Sequence, residues 1–181
     1  MDRRNFIILG AATAAGAAGV GTAWLKQPPQ PTAMKPLQGQ TNAAADPPWA
    51  LSFDTPDGQA LPMRTFLGKP LLLNFWATWC PPCVEELPLL DAFYQQQKAN
   101  GWQVLGLAVD QPSAVRKWLL AKPLSFPVGM AGLDGTELSK SLGNLTGGLP
   151  FTTVFGAAGS VLHRKTGKVS NDDLAQWARL R

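Results

Sequence analysis

The run Leu71-Leu72-Leu73-Asn74-Phe75-Trp76, continuing into Ala77-Thr78-Trp79-Cys80-Pro81-Pro82-Cys83, constrains this chain more than any other stretch. Apolar residues of strand length after Lys69-Pro70 predict a central strand covered on both faces. The loop that follows opens a helix, and both cysteines of the 181-residue chain stand at that opening. Residues at i and i+3 on a helix bring their Cβ atoms within about 5–6 Å. A disulfide needs Cβ atoms about 3.5–4.5 Å apart, so a small adjustment makes or breaks the bond. The spacing points to a redox pair.

The two intervening prolines refine that reading. Proline is tolerated in the first helical turn, where its missing N–H would have no partner. With Cys80 as N-cap, the N–H groups nearest to its thiolate belong to Cys83 and Val84, and they and the helix terminus lower its pKa. Neither Pro81 nor Pro82 adds a charge or a side-chain donor, so the expected activation is moderate. Cys80 is expected to be the exposed, attacking thiol and Cys83 the buried, resolving one.

Composition excludes several function classes. The formal charge of +4 is split evenly, two before Pro47 and two after it. No basic cluster interleaved with aromatics follows, which argues against a nucleic-acid partner. One histidine and two cysteines do not furnish an ordinary structural zinc site, and two cysteines are too few for a disulfide scaffold. No metal ligand set is expected.

The N-terminus reads as an export segment. Residues 5–25 carry no charge after Arg3-Arg4, a length that suffices to cross a bilayer as a helix. Paired arginines before Phe6 and a weakly apolar run resemble a twin-arginine signal, although export by the general route fits the same residues. The arginines are expected to stay cytoplasmic and the rest of the chain to emerge outside. Gly21-Thr22-Ala23 is a weak cleavage site, which favours an uncleaved anchor over residues 1–26. Residues 27–48 form a proline-punctuated linker, and a folded domain is expected over 49–181.

Within that domain, short extended pieces flank the turn residues Asp54-Thr55-Pro56-Asp57-Gly58. The redox helix is expected to run to about Lys98, kinked at Pro88, with Leu87, Leu90, Ala92, Phe93 and Tyr94 as its core stripe. A strand from Trp102 to Val109 completes a right-handed βαβ unit. A helix over Ser113–Ala121, an extended Phe126-Pro127-Val128 and a short helix over Thr136–Leu142 form a central insertion. Thr152–Phe155 and Ser160–Arg164 form a hairpin, and Asn171-Asp172-Asp173 caps a last helix reaching Leu180.

The stretch Asn74 to Cys83, with Glu86 and Pro88 after it, resembles the thioredoxin-like TlpA/ResA group of extracytoplasmic thiol–disulfide oxidoreductases. Gly148-Leu149-Pro150-Phe151-Thr152 is similar to that group's cis-proline segment, and Gly68-Lys69-Pro70 and Asp110 fall where its pattern expects them. The resemblance implies an α/β thioredoxin fold over 49–181: a central mixed sheet flanked by helices, with an N-terminal extended extension and a helical insertion.

It also implies roles. Cys80 and Cys83 form the redox-active disulfide. Pro150 is cis and faces them, leaving the Leu149 backbone to pair with an incoming peptide. Trp79 lies beside the site. Asn74 stands where thioredoxin has a buried aspartate, so Glu86 becomes the candidate to relay a proton to Cys83. Implied partners are disulfide-containing proteins, such as apocytochrome c or proteins whose metal-site cysteines await assembly, and a membrane thiol electron donor, with no cofactor beyond the cysteines. An oxidase or isomerase shares these features. A peroxidase lacks its threonine-to-cysteine motif here, and a copper carrier would need His163 as a ligand, a residue that reads better as a surface strand position.

Overall fold

The computed structural model describes residues 48–180. The export or anchor segment and nearly all of the linker lie outside the described residues. Seven strands form one sheet: β1 (Ser52–Asp54), β2 (Ala60–Pro62), β3 (Leu71–Trp76), β4 (Gln103–Ala108), β5 (Val128–Met130), β6 (Phe151–Phe155) and β7 (Val161–Thr166). Their order is β2-β1-β5-β4-β3-β6-β7. The inner strands β3, β4 and β5 are parallel, and β6, β7, β1 and β2 add antiparallel pairs on either side. This is the central mixed sheet expected from the sequence. Among the described residues, four α-helices accompany it: α1 (Pro81–Gln97), α2 (Pro112–Ala121), α3 (Asp134–Ser141) and α4 (Asn171–Trp177).

β3 is buried along its whole length, as expected of a strand with helices or loops over both faces. Its alternation sorts two cores. Leu72 and Trp76 join Cys83, Leu87, Leu90 and Trp177 on one face. Leu71, Leu73 and Phe75 join Trp49, Met63, Leu138 and Phe155 on the other. Period-2 geometry therefore puts Asn74 on the face of Leu72 and Trp76, beneath α1.

Several boundaries depart from expectation. α1 ends at Gln97 and tightens into a 3₁₀ turn, Lys98–Asn100, closed by Gly101 in the left-handed region. Ala92 is exposed, outside the buried stripe of Leu87, Leu90 and Phe93; small and one position off the stripe, it rides the solvent side. The extended piece expected at Phe126 begins as a strand only at Val128 and lies parallel to β4, so β4, α2 and β5 make a second βαβ unit. The cap of α4 is Ser170. Its hydroxyl accepts from the Asp173 N–H while the Asp173 carboxylate accepts from the Ser170 N–H. Such a reciprocal box outcompetes an N-cap at Asn171.

Candidate functional site

β3 delivers its last residues into a short loop and then into α1, with Cys80 in extended geometry as N-cap and Pro81 and Pro82 in the first turn. Cys80 and Cys83 are joined by a disulfide with Cα atoms 5.3 Å apart. Cys83 is fully buried, whereas Cys80 keeps 5 % of its surface. Cys80 is thus the more accessible residue of the pair, though in this oxidised state it is buried rather than exposed as anticipated. The N–H groups of Cys83 and Val84 both donate to the Cys80 carbonyl oxygen, at 3.1 Å each, and no hydrogen bond reaches the Cys80 side chain. The helix start therefore offers the sulfur less than expected.

The approach to Cys80 is fixed from the neighbouring strand. Asp110, just past β4, accepts from the Thr78 N–H at 2.8 Å and from the Thr78 hydroxyl at 2.6 Å. Its second oxygen accepts from the Gln111 N–H at 2.7 Å. The loop so held presents Trp79 with 65 % of its surface in solvent. Trp79 forms one wall of a cleft of about 430 Å³, with Val109, Asp110, Leu133, Thr136 and Leu149 among the others. The Leu149–Pro150 peptide is cis, and Pro150 is buried. Because Phe151 pairs with Phe75, Pro150 enters β6 beside the end of β3, where the chain leaves for Cys80.

Glu86 lies on the turn of α1 after Cys83 and is completely buried. The Asn74 amide donates to one carboxyl oxygen at 2.8 Å, and the Val169 N–H donates to the other at 2.6 Å. The same amide reaches the Thr152 hydroxyl at 3.0 Å, the register partner of Asn74 on β6. Burial raises the pKa of Glu86 from 4.5 to about 7, overcoming the Val169 and Asn74 hydrogen bonds and the more distant Lys168 and Lys165, all of which lower it. A carboxyl with that affinity exchanges protons near neutrality. An acidic residue early in a helix gave no sign of which way it faced; the register of β3 supplies that information.

The structure thus brings Cys80, Cys83 and Glu86 onto one helix end, and Trp79 and Leu149 onto one cleft. His163 stands apart, its ring 5.4 Å from that of Trp177. The Val169 N–H and Asn144 beneath the cis-proline loop were not singled out from sequence, and Asp110 was noted only for its place at the end of an apolar strand.

Comparisons with known proteins agree with this arrangement. A family model described as Redoxin matches residues 40–178. The thiol–disulfide oxidoreductase ResA of Bacillus thuringiensis is 29% identical over 124 residues, covering 68% of this chain and 69% of that protein. ResA of Geobacillus thermodenitrificans is 30% identical over 121 residues, covering 66% and 67%. Among solved structures, a thiol:disulfide interchange protein of the thioredoxin family from Chlorobium tepidum superposes with a TM-score of 0.64 at 28% identity, covering 72% of this chain and 91% of that one.

Proposed function

The chain belongs to the redoxin family, and within it to the ResA-type thiol–disulfide oxidoreductases, and from that premise we propose that it reduces disulfides of proteins outside the cytoplasm through the Cys80/Cys83 couple. The observation that carries the reading is the pairing of a Cys80–Cys83 disulfide at a helix start with a buried carboxyl one turn on, its pKa raised to about 7.

In the reductive direction the Cys80 thiolate attacks one sulfur of a substrate disulfide. The other substrate sulfur leaves as a thiolate and takes a proton from solvent. Cys83 gives its proton to Glu86 and attacks Cys80 Sγ, which breaks the mixed disulfide, releases the second substrate thiol and forms the Cys80–Cys83 bond. Two electrons pass from the protein to the substrate. A dithiol donor on or in the membrane returns them by the reverse exchange, since compartments outside the cytoplasm oxidise thiols. Trp79 and the Leu149 backbone hold the substrate segment, the latter as a short strand addition. Apocytochrome c and proteins with metal-site cysteines are substrates of this kind, and an N-terminal anchor over residues 5–25 would keep the domain at the membrane.

The reductase direction rests on the weak support given to the Cys80 thiolate. Pro81 and Pro82 bring no charge, and the two nearest N–H groups are engaged by the Cys80 carbonyl. A less stabilised thiolate makes the dithiol form a better reductant. Equilibration with a glutathione redox buffer is expected to give a potential nearer to about −270 mV than to about −120 mV. A value above about −160 mV would make the protein an oxidant and overturn the direction.

A further inference from the structure

Asn144 lies between α3 and the cis-proline segment, away from the cysteines, yet it is almost wholly buried and ties the two together. Its N–H donates to the Ser139 carbonyl at 2.9 Å, and its own carbonyl accepts from the Gly147 N–H at 2.9 Å. Its side-chain amide donates to the Gly148 carbonyl at 2.8 Å and lies 3.3 Å from the Ser139 hydroxyl. The amide oxygen finds no partner among the described residues. A buried amide left half-satisfied costs about 1–3 kcal/mol, which an apolar residue of that size would avoid. Loop closure alone does not call for it.

What the amide does follows from the peptide it holds. The Gly148–Leu149 bond is trans, and a planar trans peptide points its C=O and N–H in opposite directions. With the Gly148 oxygen drawn inward to Asn144, the Leu149 N–H points away from that buried side. It has no protein partner among the described residues, and Leu149 lines the cleft together with Gly147 and Trp79. We propose that Asn144 is a positioning residue for substrate: by fixing the Gly148–Leu149 peptide, it aims the Leu149 N–H at a main-chain carbonyl beside the substrate cysteine. The recognised group is then a peptide backbone in extended form, whatever the side chains around it. α3 and the turn after it, between β5 and β6, carry this anchor.

The inference rests on the oxidoreductase reading above and deepens it, so the test must separate the two. Reduced full-length protein is mixed with two probes: hydroxyethyl disulfide, which has no amide, and the symmetrical disulfide of a capped cysteine-centred pentapeptide, which has. Asn144→Ala is expected to lower kcat/KM for the peptide probe by about tenfold, the size of one net hydrogen bond, mainly through KM. The rate with hydroxyethyl disulfide and the equilibrium constant with glutathione should stay within about twofold. Asn144→Leu keeps the buried volume filled and should behave alike if the alanine variant folds poorly. An equal loss on both probes, or none on the peptide, would overturn the role of Asn144. Inertness of the wild type toward both probes would instead sink the oxidoreductase reading. A measurement without any change at Asn144 gives an independent check. In Cys83→Ser trapped as a mixed disulfide with the same peptide, the Leu149 amide should gain hydrogen-exchange protection over the free protein, and an unprotected Leu149 would refute the aim assigned to it.

Discussion

Glu86 meets two opposed demands: full burial drives its proton affinity up, while two donors and two lysines hold it near neutrality rather than beyond. The folded pKa of about 7 lies above the ordinary 4.5, so between those values the native state binds more protons than the unfolded one. Stability from this group is complete below about pH 4.5 and falls as pH rises through 7, by about 3 kcal/mol at 1.36 kcal/mol per unit. Urea unfolding of the oxidised protein from pH 4.5 to 8 should show that fall, and Glu86→Gln should remove it. The same substitution should slow the resolution of a Cys80 mixed disulfide by about a hundredfold at pH 7, the lower end of general-base effects, as followed by stopped-flow fluorescence of Trp79. A variant as fast as the wild type would remove Glu86 from the chemistry. Sequence alone left its role open because an acid in the first two turns of a helix also suits the macrodipole. The structure adds Asn74, whose alternation on β3 points it at α1 and whose amide donates to the Glu86 carboxyl. The buried carboxyl thus stands on the helix and the strand supplies its donor.

At the scale of elements, β3 and α1 were legible because their signals are strong and agree: an unbroken apolar run, then two prolines in a helical first turn. The sheet's flanks were less so. β1, β2 and β5 are three residues each, too short to leave a period, and the pairing of β1 with β5 rests on Asp54 opposite Met130. The cap of α4 was displaced by one residue because three adjacent polar side chains compete, and only Ser170 has an acidic partner at the right offset. Gly106 shows a demand that no local pattern reveals. It sits in β4 between β3 and β5, and a Cβ there would come within 2.9 Å of the Trp76 indole nitrogen and 3.3 Å of the Phe126 ring. The indole is itself packed 5.3 Å from the Trp118 ring and has little room to retreat. Gly106→Ala should therefore destabilise the protein by about 1–3 kcal/mol, as overpacked cores do, seen as a lower urea midpoint with an unchanged slope. A neutral result would mean that Trp76 moves freely.

At the scale of the molecule, two cores lie on opposite faces of the sheet among the described residues. The first described side chain in the second core is Trp49, whose indole N–H donates to the Gly159 carbonyl at 3.1 Å and whose ring stands 5.0 Å from that of Phe155, edge to face. Trp49 thereby ties the first described residues to the second core. A fragment of residues 48–181 should unfold cooperatively and exchange disulfides at the rate of the full chain. One starting at 50, or the full chain with Trp49→Ala, should lose about 3–5 kcal/mol, as expected for a large aromatic removed from a core; equal midpoints for the two fragments would contradict this.

The placement of both sulfurs and the carboxyl on α1 has a consequence for the strength of the base. In most proteins a base and the thiol it serves ride on different elements, and their separation is set by how those elements dock. Here Cys83 and Glu86 are one helical turn apart, so their spacing of about 5–6 Å between Cβ atoms is fixed by the pitch of the helix. Docking governs something else. The contacts that load Glu86 come from β3 and from the Val169 segment, and water reaching the carboxyl would return its affinity toward that of an ordinary glutamate. The strength of the base is thereby a gauge of closure. Any change that loosened the packing of the helix on β3 and on the Val169 segment would lower the proton affinity of Glu86 while leaving its distance from Cys83 unchanged.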